Sequence, residues 1–101
     1  MRSPFQVDGL IYMELLYAKK FSKDVDRIQK DARIRKSLLK AIEKIKLAGS
    51  LSEVKGIRKI EGYQHYYRIK ISEYRLGMKI KKNTVELIRF LHRKDIYRRF
   101  P

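Results

Sequence analysis

Residues 66–80 read YYRIKISEYRLGMKI, two alternating runs that meet at Ser72-Glu73. Successive side chains of a β-strand point to opposite faces, so this segment predicts a hairpin with two different faces. The apolar face carries Tyr67, Ile69, Ile71, Tyr74, Leu76, Met78 and Ile80. The opposite face carries Tyr66, Arg68, Lys70, Arg75, Gly77, Lys79 and Lys81. A cationic face without an acid predicts a negatively charged partner, such as a polymer of phosphates.

The composition predicts one small and strongly basic domain. The chain has 101 residues, with 26 Lys and Arg against 11 Asp and Glu, a formal net charge of +15. This length allows one modest core, and this charge predicts attraction to nucleic acid or another polyanion. Residues 1–53 carry a net charge of +5 and residues 54–101 carry +10. The excess therefore lies in the half that contains the predicted strands.

Several classes of protein are excluded by the composition. The chain has no cysteine, which excludes disulfides and thiolate metal sites. Its two histidines, His65 and His92, lack partners at metal-ligand spacing, so we expect neither a metal nor a cofactor. No apolar run approaches the roughly 20 residues that span a membrane, and no signal peptide is recognisable. We therefore expect a cytoplasmic protein that makes no membrane contact.

The periodicity along the chain predicts an α+β fold, in which two N-terminal helices pack on a small antiparallel sheet and a short helix ends the chain. The first helix has Ser22 near its predicted start. The two helical stripes comprise Phe21, Val25, Ile28 and Ala32, then Ile34, Leu38, Ile42 and Ile45. The predicted strands are Leu15–Tyr17, Ile57–Ile60, His65–Ile71, Tyr74–Lys81 and Thr84–Leu91, followed by a helix at Lys94–Phe100. Since Thr84–Leu91 is apolar almost throughout, we expect it to be a central strand covered on both faces.

Residues 1–12 are set apart from the rest, because Pro4 and Gly9 interrupt them and their periodicity is weak. They form either an N-terminal extension, which need not be ordered, or part of a first strand that runs from Gly9 to Tyr17. Residues 13–101 are predicted to form the single domain.

Cations on the hairpin are the first candidates for chemistry. Arg68, Lys70 and Arg75 should project from adjacent strands onto one surface. Such cations can bind a phosphate and can stabilise the extra charge of a pentacoordinate phosphorane. Arg75 suits the second role, because a planar guanidinium contacts two phosphate oxygens at once. The alternative is a basic face that only binds.

The segment 92–97, HRKDIY, supplies the second set of candidates. A histidine such as His92 can transfer a proton near neutral pH, and Tyr97 can stack on a base; alternatively, His92 ends a strand and Tyr97 packs in the core. Residues 54–101 contain only four acids, too few for a two-carboxylate or Mg²⁺-dependent nuclease. If the chain cleaves a phosphodiester, we expect metal-free attack by a ribose 2′-OH, which restricts the substrate to RNA.

Three segments together resemble the RelE/ParE superfamily of toxins, most closely the RelE-type branch of bacterial toxin–antitoxin systems. These segments are 15–24, 66–77 and 89–97, with the pattern Y-R-I-x-x-x-x-Y-R and a closing H-R-x-x-I-Y. The resemblance covers about residues 13–101. It implies the same small α+β domain, with two N-terminal helices on an antiparallel sheet.

The resemblance also implies an activity, cleavage of mRNA in the ribosomal A site. The 2′-OH attacks the adjacent phosphate and leaves a 2′,3′-cyclic phosphate and a 5′-OH. By position, Arg68 and Lys70 match the basic strand residues of the active site, and Arg75 matches the arginine that stabilises the transition state. His92 or Arg93 falls where a basic group protonates the leaving oxygen, and Tyr97 matches a tyrosine that orients the substrate. The implied partners are mRNA on the ribosome, ribosomal RNA and an acidic cognate antitoxin that blocks the site.

One departure from the family pattern affects the mechanism. The position of Arg68 is often lysine in the family, and arginine stays protonated, so it is a poor general base. Lys70 or His92 would then share that task. Two other functions remain open: a DNA gyrase poison of the ParE branch, and a non-catalytic RNA-binding domain.

Overall fold

A computed structural model describes residues 13–48 and 53–101, together with the backbone of residues 6–7 and 10–11. The predictions for residues 1–12 fall mostly outside this part. The elements are β1 (Gln6–Val7), β2 (Leu10–Ile11), β3 (Glu14–Tyr17), α1 (Lys19–Arg27), α2 (Ala32–Leu47), β4 (Ile57–Lys59), β5 (Tyr66–Ile71), β6 (Tyr74–Lys81), β7 (Thr84–His92) and α3 (Arg93–Arg99). β1 and β2 pair only with each other within the described residues. The predicted α+β fold, with its two N-terminal helices and short C-terminal helix, is confirmed.

Five strands form the main sheet, in the order β3-β7-β6-β5-β4. All neighbours are antiparallel except β3 and β7, which run parallel with Glu14 opposite Thr84. The predicted hairpin of β5 and β6 is present, with Ile71 opposite Tyr74 across the two-residue turn. Ser72 in that turn has φ 54°, the left-handed conformation that tight hairpin turns require.

Helices α1 and α2 cover one face of the sheet. Most of the predicted apolar stripes are buried and meet the apolar face of the hairpin. Ala32 is the exception, because it is exposed at the first position of α2. Asp31 caps α2, because its carboxylate accepts a hydrogen bond from the Ile34 N–H at 3.1 Å. Ser22, expected near the start of the first helix, lies within it: α1 begins at Lys19, after Ala18, without a side-chain cap. The sheet anchors this helix start instead, since the Ala18 N–H donates to the Leu87 carbonyl at 2.9 Å.

A β-bulge interrupts the pairing of β6 with β7. Gly77 lies opposite Arg89, whereas the next residue, Met78, lies opposite Leu87, so Ile88 has no partner of its own. The extra residue reverses which side chains of β7 face the helices. Val85, Leu87 and Phe90 therefore belong to the main core, and Ile88 and Leu91 contact a second cluster on the other face. β7 is an interior strand with apolar side chains on both faces, as predicted.

Helix α3 covers that other face. Leu91, Ile96 and Phe100 form a buried cluster there, joined by Ile60, Tyr66 and Ile88. Phe100 packs directly on Gly77, where an added Cβ would lie 2.7 Å from two carbon atoms of the ring. None of the helices in the described part of the chain is long and apolar enough to cross a membrane.

Candidate active site

The face of the sheet beneath α3 carries the predicted cations. Lys70 on β5 lies opposite Arg75 on β6, and Arg68 lies opposite Gly77. Cross-strand partners share a face of a sheet, so the structure places all three cations on one side. Their side chains differ in exposure: Lys70 is exposed, Arg68 is half-buried and Arg75 is buried.

A cleft of about 300 Å³ opens between this face and α3. Its walls are Lys59, Ile60, Glu61, Arg68, Ile96, Tyr97 and Phe100. The guanidinium carbon of Arg68 lies 5.8 Å from the centre of the Tyr97 ring, within the range of a cation–π contact. Tyr97 is 64% exposed. An exposed aromatic ring beside an arginine can stack a nucleobase and contact its phosphate.

Arg75 is held in a fixed orientation. It is only 9% exposed, and its Nη1 donates to the carbonyls of Ser72 at 3.1 Å and Tyr74 at 2.9 Å. Its Nε is buried and has no hydrogen-bond partner among the described residues. An unpaired buried donor costs about 1–3 kcal/mol. The guanidinium of Arg75 is therefore oriented by two carbonyls and has one donor, Nε, without an acceptor among the described residues; Arg75 lies on the same face as the cleft but is not one of the residues that form its walls.

His92 lies on the opposite face of the sheet. It pairs across the strands with Tyr74, whose ring belongs to the main core, and the two rings meet edge to face at 5.6 Å. The bulge in β7 is the physical reason, because without the extra residue His92 would share the face of Arg75. Its Nδ1 accepts a hydrogen bond from the Lys94 N–H at 3.2 Å. His92 therefore caps α3 and is not brought to the cleft.

Arg93 is paired with an acid. Its Nε lies 2.9 Å from Oε2 of Glu73, and its backbone N–H donates to the Glu73 carbonyl at 2.8 Å. Both contacts attach the start of α3 to the hairpin turn. Arg93 thus positions the helix that carries Tyr97.

Sequence reasoning did not anticipate three parts of the cleft. Glu61 is a carboxylate on its wall, Lys59 is another cation, and Phe100 fixes the end of α3. A signal for Phe100 was present in the sequence, since Gly77 interrupts a row of long side chains on the cationic face. A glycine inside a strand often marks the close approach of another group.

Comparison with known proteins identifies the family. A family profile described as the ParE toxin of the type II toxin–antitoxin system parDE matches residues 15–97. The chain belongs to this toxin family. It is also 41% identical over 90 residues to toxin RelE3 of Methanocaldococcus jannaschii, an alignment that covers 88% of this chain and all of that toxin. The predicted membership of the RelE/ParE superfamily is confirmed.

Solved structures show the same fold for this RelE/ParE toxin. The RelB–RelE antitoxin–toxin complex from Methanococcus jannaschii matches with a TM-score of 0.71 and 40% identity, over 85% of this chain and 99% of that chain. The DinJ–YafQ toxin–antitoxin complex of E. coli matches with a TM-score of 0.72 and 18% identity, over 86% and 99% of the two chains. At 18% identity, the similarity to the DinJ–YafQ complex shows a shared fold and does not indicate a shared activity.

Proposed function

We propose that this toxin is a ribosome-dependent, metal-independent endoribonuclease that cleaves mRNA in the A site. The carrying observation is the environment of Arg75: a buried, oriented guanidinium whose Nε has no hydrogen-bond partner in the described part of the chain, opposite Lys70 and on the same face as the Arg68–Tyr97 cleft. Purely electrostatic attraction to RNA would not require a buried arginine, because exposed cations suffice for that. A group fixed in advance at the place where charge develops is typical of transition-state stabilisation.

The proposed reaction needs no cofactor. The ribose 2′-oxygen forms a bond to the adjacent phosphorus, and the bond from that phosphorus to the 5′-oxygen breaks. The products are a 2′,3′-cyclic phosphate and a 5′-OH, so the 2′-OH loses a proton and the 5′-oxygen gains one. In our proposal Arg75 binds the phosphate oxygens as charge accumulates on them. Arg68 and Tyr97 hold the neighbouring base and phosphate.

Two side chains are candidates for the base that removes the 2′-OH proton. Lys70 lies opposite Arg75, and Glu61 is the carboxylate on the wall of the cleft. The pH dependence of cleavage by Lys70→Gln and Glu61→Gln distinguishes them. If the substituted residue is the base, the fall of the cleavage rate at low pH disappears. If the residue only binds the substrate, the cleavage rate falls at all pH values. We assign His92 and Arg93 to positioning α3, because they contact Lys94 and Glu73 instead of the cleft.

The same proposal includes the partners. Because the similar M. jannaschii structure is an antitoxin–toxin complex, we propose that an acidic antitoxin binds this chain. The net charge of +15 suits both that partner and ribosomal RNA. A toxin that acts on ribosomes works in the cytoplasm.

The decisive experiment is cell-free translation with added protein, in which the 5′ ends of the mRNA are mapped with and without ribosomes. We expect cuts within A-site codons that require ribosomes. Arg75→Ala should lower cleavage by about a hundredfold or more, whereas Arg33→Ala, an exposed arginine of α2, should cleave normally. Full-length mRNA with undisturbed translation would refute the proposal.

A second candidate is a poison of DNA gyrase, which the description of the matched family as ParE toxin favours. The two activities differ in what fails first. A gyrase poison produces gyrase-dependent DNA breaks while translation continues, and it does not cut mRNA. Assay of supercoiling by purified gyrase in the presence of the toxin therefore completes the test.

A further inference from the structure

A second cationic hollow, here called the edge hollow, lies where α1, β7 and the end of α3 meet. Its volume is about 280 Å³, and it is lined by Lys20, Lys23, Asp24, Arg27, Arg89 and Arg99. Among the described residues, it shares no lining residue with the cleft beside Tyr97. The proposed cleavage reaction makes no use of it.

The sequence of α1 builds one wall of the edge hollow. Lys20, Lys23 and Arg27 are spaced at i, i+3 and i+7, which places them on one side of a helix. The apolar residues of α1 occupy the other side, where Phe21 is buried in the core. All three cations are exposed.

The charges of the edge hollow are not balanced. Asp24 is 3% exposed, and its carboxylate is occupied by Arg89, whose Nε and Nη2 donate at 2.8 and 3.0 Å, and by the Phe90 N–H at 2.9 Å. Arg27 lies farther away, with its Nη1 3.9 Å from Oδ1. The close pair of Asp24 and Arg89 is neutral as a unit. Four positive charges remain unbalanced, those of Lys20, Lys23, Arg27 and Arg99. No other acid lines the hollow within the described part of the chain.

The lining also indicates which class of partner fits. Every described side chain around the edge hollow is charged, whereas protein interfaces bury apolar anchors at their centre. A groove between α2 and β5 shows the contrast, because its lysines surround an apolar floor of Ala41, Val54, Ile69 and Ile71. A partner that needs cations and no apolar contact is the backbone of a nucleic acid.

We propose that the edge hollow binds the phosphodiester backbone of folded RNA, at a site separate from the cleavage cleft. This inference deepens the proposed function, since an enzyme that acts on ribosomes needs a second contact to orient itself. Phosphate contacts fix orientation without reading sequence. The edge hollow is therefore a docking site, and the cleft is the reaction site.

The test measures binding of a short, fluorescent 2′-O-methyl RNA duplex by anisotropy as a function of salt. This probe has no free 2′-OH, so cleavage cannot occur and binding is measured alone. Lys20→Gln with Lys23→Gln is compared with Lys40→Gln with Lys44→Gln, an exposed lysine pair of α2 beside the other groove. Glutamine and lysine have similar helix propensities, so both double variants should fold.

We expect the Lys20/Lys23 variant to bind about tenfold more weakly at about 0.1 M salt, with a salt slope smaller by about 1 to 2. The Lys40/Lys44 variant should stay within about twofold of the original protein. Equal losses in both variants would overturn the proposal, because net charge alone would then explain binding. Unchanged binding in the Lys20/Lys23 variant would overturn it too.

A protein partner is tested by competition with poly-L-glutamate. If the Lys20/Lys23 substitutions weaken binding of this polyanion but not of the duplex, the edge hollow is a site for acidic protein and the proposal is wrong. Arg33→Ala, which changes an exposed arginine of α2, should bind the duplex like the original protein, and because the duplex cannot be cleaved its binding is measured whether or not the protein is a nuclease. The test of the docking site therefore does not depend on whether the protein is a nuclease.

Discussion

Asp24→Asn removes the charge of the buried pair that joins α1 to β7. The carboxylate accepts two hydrogen bonds from Arg89 and one from the Phe90 N–H. The amide of asparagine has one oxygen in place of two, and its NH₂ group would face a guanidinium that also only donates. The substitution therefore leaves Arg89, whose side chain is 11% exposed, without a counter-charge.

The expected cost is large for a substitution that barely changes the size of the side chain. Breaking a buried ion pair on one side costs about 3–5 kcal/mol, mostly because the remaining charge is unpaired. Since Arg89 keeps slight access to water, we expect a loss of about 3 kcal/mol in the free energy of unfolding. In a domain of this size such a loss lowers Tm by about 12–24 °C.

Urea and thermal unfolding followed by circular dichroism measure this effect. The matched control is Asp95→Asn, which breaks the exposed Asp95–Arg98 pair at 3.0 Å and should cost less than about 1 kcal/mol. Adding Arg89→Met to Asp24→Asn should recover more than half of the lost free energy of unfolding. The unpaired charge of Arg89 is then removed, and the asparagine can still accept a hydrogen bond from the Phe90 N–H. If Asp24→Asn and Asp95→Asn lower Tm equally, the reasoning about the buried pair is refuted.

Two further predictions concern α3 and its cleft. Gly77→Ala should lower the free energy of unfolding by about 1–3 kcal/mol, because the new Cβ collides with Phe100. Urea unfolding measures this loss, and adding Phe100→Leu should restore part of it. If the double variant shows no recovery, the collision is not the cause. Tyr97→Phe should keep most RNA cleavage in the cell-free assay, whereas Tyr97→Ala should lower kcat/KM by about ten- to a hundredfold through lost stacking. An equal loss in both Tyr97 variants would instead assign the role to the hydroxyl group.

The alternation of residues 66–80 was sufficient to predict the hairpin, its turn and the shared face of Arg68, Lys70 and Arg75. Local periodicity determines these features, because side chains two residues apart must share a face. The burial of Arg75 was not predictable in the same way. Alternation gives the face of Arg75, whereas its burial depends on what packs on that face, such as Phe100 on Gly77 two positions along the strand. The carbonyls that orient Arg75 belong to nearby residues of the same hairpin.

The placement of His92 shows a different limit. A single extra residue, Ile88, inverts the faces of β7 from that point onward, and a strand that is apolar on both faces gives no sign of the inversion. The ion pair of Asp24 with Arg89 was missed for a similar reason. Its partners are 65 positions apart, and nothing local in either segment indicates the other.

The parallel pairing of β3 with β7 has a consequence for synthesis. Glu14 can pair with Thr84, 70 positions later, only after Thr84 has been synthesised. The sheet therefore cannot be completed while the intervening chain is still being translated. At about 5–20 residues per second, that delay lasts roughly 4–14 seconds. The cleft is completed later still, because Tyr97 and Phe100 follow β7 in the chain. The cleft therefore cannot form while the segment between β3 and α3 is still being translated.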